Sequence, residues 1–312
     1  MSTPLELLVR QIRWESEGVV SLVLEDRAGA ELPPWSPGAH IDVELQPGLV
    51  RHYSLLGSPR DKGEYRIAVL AEPAGRGGSR YVHESLRPGH VVAVRGPRNH
   101  FALEDAPAYT FIAGGIGITP ILPMLQAAEE RGRPWRLLYG GRSRRSMAFL
   151  ALLERYGPRV DVVPQDELGL LDLDTALGDL GDGEQVYCCG PEPLLAAVEA
   201  GCAPLGDVLR VERFAAPEST APVTAGAVEV ELARAGRTFT VAPDESILDR
   251  VLAQGVDVPN DCREGICGSC ETTVLQGTPE HHDYVLTAKE RQAGRSMMLC
   301  VSRACDRLVL DL

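Results

Sequence analysis

The sequence predicts a multidomain chain: an antiparallel β-barrel, then a parallel α/β sheet, then a small α+β unit. Three observations predict it. Short apolar runs alternate with Gly and Pro turns through the first hundred residues, the pattern of a closed antiparallel sheet. From residue 109 to residue 200, strand-like and helix-like segments alternate, which requires parallel strands with crossover helices. An Ala/Pro/Ser/Thr-rich stretch without apolar periodicity, 215–226, then separates a last segment of different pattern and reads as a linker. The expected boundaries are 1–104, 105–214, 215–226 and 227–312. Two or three domains suit a chain of 312 residues.

The elements follow in order. Residues 19–24, 40–45, 65–70 and 91–94 are the clearest barrel strands. Residues 109–113 form a buried-type strand that runs into a glycine turn and a helix over 121–131. A strand at 136–139 precedes a helix near 146–156. Strands at 160–163 and 185–189 and a helix at 192–200 complete the α/β part. In the last segment, strands at 228–232 and 238–241 lead into a helix at 246–254, and a strand at 308–312 closes the chain. There is no internal repeat.

Hydrophobic residues make up 44% of the chain and charged residues 24%, enough apolar matter for a real core. The net charge of −13 argues against nucleic acid or an anionic membrane surface as partner. No apolar run reaches the length of a bilayer span, and the N-terminus lacks the basic-then-apolar layout of a signal peptide. A cytoplasmic monomer is the expectation. Eight cysteines in such a chain suggest metal or redox use rather than disulfides.

Four of them carry the strongest signal. Cys262, Cys267, Cys270 and Cys300 are spaced C-x₄-C-x₂-C, then C after 29 residues. That is the ligand spacing of a plant-type [2Fe–2S] ferredoxin, so the last unit is expected to adopt that α+β fold and to handle single electrons. Gly265 and Gly268 permit the tight wrapping of a cluster loop. A four-cysteine zinc site is the competing reading, but zinc knuckles favour paired C-x₂₋₄-C spacings. Cys188 and Cys202 read as buried packing, Cys305 as structural, and His100, His281 and His282 as surface or turn histidines.

Two further motifs point to ligands. The strand ending at Ala113 runs into Gly114-Gly115-Ile116-Gly117-Ile118-Thr119-Pro120. Glycines let backbone approach a phosphate, and a helix N-terminus supplies free N–H groups; a packing turn is the alternative. Val186-Tyr187-Cys188-Cys189-Gly190-Pro191 would end a strand of the same sheet, so both turns would meet one ligand at the carboxyl edge. In the barrel, Arg51-His52-Tyr53-Ser54 puts Arg51 and Tyr53 on one side of a strand. There Arg51 can clamp a phosphate, Tyr53 can pack on a flat ring and Ser54 can bond its edge; a surface Arg beside a core Tyr is the alternative. Arg76-Gly77-Gly78-Ser79-Arg80 offers a second phosphate cradle. Arg142, Arg144 and Arg145 form a cationic cluster that either meets a ribose 2′-phosphate or is a solvated loop.

The motifs R-x-Y-S, G-G-x-G-x-T-P, Y-x-C-G-P and C-x₄-C-x₂-C…C occur here in that order. In this the chain resembles the phthalate dioxygenase reductase-type family, which includes vanillate O-demethylase reductases, within the ferredoxin–NADP reductase superfamily. The resemblance covers nearly the whole chain. It implies FMN in the barrel, NADH in the α/β domain and a [2Fe–2S] cluster in the last domain. It assigns Arg51, Tyr53, Ser54, Ala68, Val69, Leu70, Arg76, Gly77, Gly78, Ser79, Thr119 and Phe214 to FMN, with Phe214 covering the ring. It assigns Gly115, Gly117, Thr119, Arg142, Ser143, Cys189, Gly190 and Pro191 to NADH, and the four cysteines to the cluster. Leu70 departs from the pattern, since related sequences often carry a basic residue there. The implied function is electron transfer from NADH through FMN and the cluster to a Rieske-type aromatic oxygenase or O-demethylase. A bacterial P450 acceptor is the runner-up, and a redox carrier or sensor without turnover is the alternative of another class. The resemblance favours NADH; the arginine cluster alone points weakly the other way. No acid–base dyad is needed, because the cofactors carry the hard chemistry.

Overall fold

The computed structural model describes residues 4–216, 226–304 and 307–312. Most of the predicted linker, and Cys305, lie outside the described residues. The chain divides after Glu212 into two compact units.

In the first unit, β1 (Leu5–Ser16), β2 (Val19–Asp26), β3 (His40–Gln46), β4 (Leu49–Ser54), β5 (Glu64–Leu70) and β6 (Val91–Arg98) form one antiparallel sheet. Its order is β4-β3-β6-β1-β2-β5. The two edge strands approach at a bridge between Leu56 and Arg66, which closes the sheet around Leu7, Val9, Leu24, Ile41, Val43, Ile67 and Val94, all buried. A short helix, α1 (Gly78–Glu84), follows β5.

The second sheet of this unit is parallel: β7 (Tyr109–Gly114), β8 (Trp135–Gly141), β9 (Val160–Pro164), β10 (Gln185–Cys189) and β11 (Leu209–Glu212), in the order β11-β10-β7-β8-β9. Helix α2 (Ile118–Glu130) connects β7 to β8. β7 is buried along its whole length, as a central parallel strand must be. The predicted helix near 146–156 is instead a 3₁₀ turn, a single turn α3 (Leu150–Leu153) and further 3₁₀ turns at Glu154–Arg159. Phe149 takes a left-handed φ of 64° and Pro158 stops the segment, so neither end lets an α-helix propagate. α4 (Gln165–Leu168), α5 (Leu173–Gly178) and α6 (Glu192–Cys202) complete this sheet's cover. One apolar cluster joins Val19, Leu56, Ala68 and Phe101 of the barrel side to Phe111, Ile121 and Tyr139 of the parallel sheet. This shared core makes the two sheets one unit.

The second unit holds β12 (Val228–Leu232), β13 (Arg237–Val241), α7 (Ile247–Ala253), β14 (Glu271–Gln276), β15 (Pro279–Glu280), α8 (Ala288–Ala293), β16 (Ser296–Met298), β17 (Arg303–Ala304) and β18 (Leu308–Leu310). Its main sheet runs β13-β12-β18-β14-β16. Both helices start on side-chain caps: Ser246 accepts from Asp249 N, and Thr287 and Glu290 form a capping box. Buried Arg303 donates to the carbonyls of Glu245, Gly226 and Ala242. No helix among the described residues is long and apolar enough to cross a membrane.

Candidate functional site

The cysteine loop is built by local backbone chemistry. Cys262, Cys267 and Cys270 are buried, and Cys300 is half-buried at the end of β16. The four thiols interact: Cys262 with Cys267 and Cys300, and Cys270 with Cys300. Their neighbours' S–H groups pull Cys262 and Cys270 below the ordinary thiol value, while the partner thiols Cys267 and Cys300 are pushed up. Donors aim at the sulfurs: Glu264 N–H at Cys262 Sγ (3.3 Å), and Ser269 Oγ lies 3.1 Å from Cys267 Sγ. Gly265 has φ +73°, and a Cβ there would meet Val301 at 2.6 Å and the Asp283 backbone at 3.1 Å. The loop closes tightly because that residue has no side chain. Four convergent sulfurs with N–H and O–H donors fit an iron–sulfur cluster.

His281 is not a surface residue. Its side chain is 8% exposed and lies 3.6 Å from buried Asp283. Asp283 accepts from Val285 N and Leu286 N, while Tyr284 N donates to Gly265 O. The Tyr284 N–H, beside this pair, therefore ties the segment to the cysteine loop. Phe214 belongs to the same unit and is exposed.

In the first unit, β4 presents Arg51 toward the start of α1. Its Nη2 donates to Arg76 O at 2.6 Å. Gly77 has φ +84°, and a Cβ on Gly78 would strike Arg51 Cγ at 2.7 Å and Nε at 2.8 Å. Glycine here makes room for the guanidinium beside the loop, the cradle a phosphate needs. Ser79 Oγ is turned back to the Glu72 backbone, latching the loop. Tyr53 is half-buried against the barrel core, and burial raises its phenol. Ala68 and Val69 are buried and Leu70 is half-buried on edge strand β5, which pairs along one side with β2.

The glycine turns have divided roles. A Cβ on Gly117 would lie 2.2 Å from Cys189 O, and one on Gly114 would lie 2.6 Å from Pro191 Cδ. These two glycines let the β7–α2 and β10–α6 turns touch. Gly115, at φ +55°, faces nothing within 4 Å and is the one open to a ligand. Thr119 is buried, its hydroxyl donating to Ile116 O at 3.0 Å. α2 starts without a side-chain cap and continues directly from the 3₁₀ turn Gly115–Gly117, whose carbonyls take the Ile118 N–H. Arg142 is exposed, and its carbonyl accepts from Asp166 N. Ser143 caps the following 3₁₀ turn. Gly190 and Pro191 lead from β10 into α6.

Glu212 joins the two halves of this site. Ser54 Oγ donates to Glu212 Oε2 at 3.1 Å, and Cys189 Sγ stands 4.0 Å from the same oxygen. Burial pushes the Glu212 carboxyl up to about 8, against the opposing hydrogen bond from Ser54. Burial also raises the Cys189 thiol, helped by the Glu212 charge. The sequence carries Val211-Glu212-Arg213-Phe214 as a mark of the resemblance, but it gives Glu212 no role; Glu212 ends a strand whose other members include Leu209 and Val211.

Family comparisons agree with this geometry. Residues 30–103 match the oxidoreductase FAD-binding domain, 111–200 the oxidoreductase NAD-binding domain and 230–305 the 2Fe-2S iron-sulfur cluster binding domain. The chain is 46% identical to "Phenoxybenzoate dioxygenase subunit beta" of Ectopseudomonas oleovorans, over 99% of this chain and 98% of that one. It is 37% identical to "Carnitine monooxygenase reductase subunit" of Escherichia coli strain K12, over 98% of each. Among solved structures, phthalate dioxygenase reductase superposes with a TM-score of 0.72 at 33% identity, over 99% of this chain and 98% of that one. An intact type IV self-sufficient cytochrome P450 monooxygenase superposes with a TM-score of 0.95 at 44% identity. This chain spans 99% of its own length there and 41% of the P450 chain. Flavin-sheet, nucleotide-sheet and [2Fe–2S] modules in that order, matched end to end by these reductases, make the chain a member of the phthalate dioxygenase reductase-type family of NAD-dependent oxidoreductases within the ferredoxin–NADP reductase superfamily.

Proposed function

We propose that this chain is a cytoplasmic, monomeric NADH-dependent reductase that passes electrons through FMN and a [2Fe–2S] cluster to a Rieske-type aromatic oxygenase or O-demethylase. The observation that carries this reading is the junction at Glu212: the hydroxyl on the barrel strand and the thiol on the parallel strand meet at one carboxyl. A flavin on β4 and a nicotinamide at the end of β10 would therefore share one floor. When bound, the flavin supplies hydride uptake as an electron pair and the cluster supplies one-electron delivery.

The chain's residues do the rest. Arg51 and the Gly77–Gly78 turn hold a phosphate, and the resemblance to phthalate dioxygenase reductase-type proteins favours FMN. Tyr53 packs beside the ring. Ser54 and Cys189 fix the reacting edges, and the protonated Glu212 carboxyl keeps a negative charge out of the junction below about pH 8. Arg144 is already paired with Glu167 at 3.2 Å, and Asp166 is tied to the Arg142 backbone. This loop offers acid as well as base, which favours NADH over a 2′-phosphorylated coenzyme. The four cysteines and their N–H and O–H donors hold the electron exit. Domain limits of 1–104, 105–214 and 227–312 follow the same division of labour.

A P450 acceptor is the second reading, favoured by the 0.95 superposition on a P450 fusion. Anaerobic stopped-flow mixing with NADH and with NADPH tests the relay. Flavin should bleach first and the cluster follow, faster with NADH. Flavin bleaching with a cluster that stays oxidised refutes the exit route. Reconstitution with a Rieske oxygenase or a P450 then separates the two acceptors.

A further inference from the structure

Strands β3 and β4 carry a second constellation, on the sheet face opposite Arg51 and Tyr53. Asp42 pairs with His52 and His40 with Ser54 across the ladder, so His40, Asp42 and His52 project to one side. One ligand atom from each lies within 4.8 Å of the others. His52 Nδ1 is 2.6 Å from Asp42 Oδ1, and Arg98 Nη2 is 2.6 Å from the same oxygen. His40 and Asp42 are buried. The Nε2 of His40 has no hydrogen-bond partner among the described residues, while Asp42 Oδ2 also lies 2.6 Å from Arg98 Nη2. The His100 ring stands 5.9 Å from that of His40.

We propose that His40, Asp42 and His52 form a binding site for a divalent transition-metal ion of the Zn²⁺ class. Two imidazoles and one carboxylate are a donor set that such ions favour. A metal takes a neutral imidazole nitrogen, and the buried, unpartnered Nε2 of His40 stands in the same cluster as the Asp42 carboxylate. Arg98 does not close the site. A carboxylate offers about four acceptor positions, so one guanidinium nitrogen lying against both oxygens still leaves lone pairs for an ion. Such outer partners are usual around metal-bound carboxylates. His52 is partly exposed and opens the cluster to solvent. A metal-free ion network of Asp42, His52 and Arg98 accounts for those three residues, but it leaves the buried His40 nitrogen without a partner, which native interiors avoid. Bound there, the ion would tie β3 to β4, the strand that carries the proposed flavin residues.

The test uses the holoprotein, stripped of loosely held metal, with cluster and flavin absorbance monitored throughout. Zn²⁺ is titrated against a chromophoric competitor. The expected result is one equivalent bound per chain beyond the cluster iron, with His40→Ala and His52→Ala each weakening it at least about tenfold. A second readout needs no variant: the thermal midpoint of the wild-type holoprotein should rise with added Zn²⁺, because an ion that binds only the folded state stabilises it. No bound equivalent and no thermal shift overturn the proposal. Equal affinity in both histidine variants also overturns it, and assigns the ion to the cluster cysteines or to adventitious surface groups.

Discussion

Replacing Gly117 with alanine tests the reasoning about the nucleotide turns most directly. The new Cβ would sit 2.2 Å from Cys189 O, 2.5 Å from Cys189 C and 2.7 Å from Gly190 N. All three are backbone atoms, so no rotamer relieves the clash. Real Cβ contacts stay above 3.0 Å, so the β7–α2 turn and the end of β10 must part by about 0.8 Å. Overpacking of this kind costs about 1–3 kcal/mol, and a displacement near 1 Å at a reacting centre lowers rates by about a hundredfold. The expected variant folds with a lowered thermal midpoint and keeps flavin and cluster. Its flavin is reduced by NADH about a hundredfold more slowly, while dithionite still reduces both centres at the wild-type rate. The assay is anaerobic stopped-flow reduction beside a thermal melt. Wild-type NADH kinetics in a stably folded Gly117→Ala protein would refute the claim that this glycine sets the turn-to-turn approach.

Other perturbations have equally definite outcomes. Cys267→Ala should abolish the cluster's visible and paramagnetic signals and cut cytochrome c reduction at least about tenfold, with flavin bleaching by NADH retained; full cytochrome c activity would show that electrons leave by another route. Gly78→Val drives a side chain into Arg51 and should weaken flavin binding at least about tenfold, measured by flavin released on dilution. For Glu212, the folded-state value is raised from 4.5 to about 8. Its contribution to stability is therefore full below about pH 4.5 and is lost as pH rises through about 8. The thermal midpoint of wild type should fall across that window more than that of Glu212→Gln; parallel curves would reject the raised carboxyl.

Much of the architecture was legible in local pattern. The alternation of strands and helices after residue 109, the capping signal at Ser246 and the cysteine spacing each reflect interactions among neighbours in sequence. The segment at 146–156 was misread because its apolar residues are spaced as a helix would space them. Met147, Ala148 and Phe149 are instead buried directly in the shared core, with Phe149 held in a left-handed conformation. His281 was misread because Asp283 and the cysteine loop that bury it are set by folding, not by composition. The short strands β15 to β17 carry two or three residues each, too few for a periodicity to register.

The chain's chemistry divides along the same line. By itself the sequence determined the identity of the donors: four thiolates at ligand spacing, an Arg-x-Tyr-Ser strand and two glycine turns. These depend on residue type and short separations, which covalent geometry fixes. Only the tertiary structure decided which groups converge. Ser54 and Glu212 lie 158 residues apart and share a hydrogen bond. Gly117 proved to be a contact between turns while Gly115 stayed open, and His40 met His52 across a ladder. Such meetings depend on strand register and on a core common to both sheets, and a residue's sequence neighbours carry no record of either.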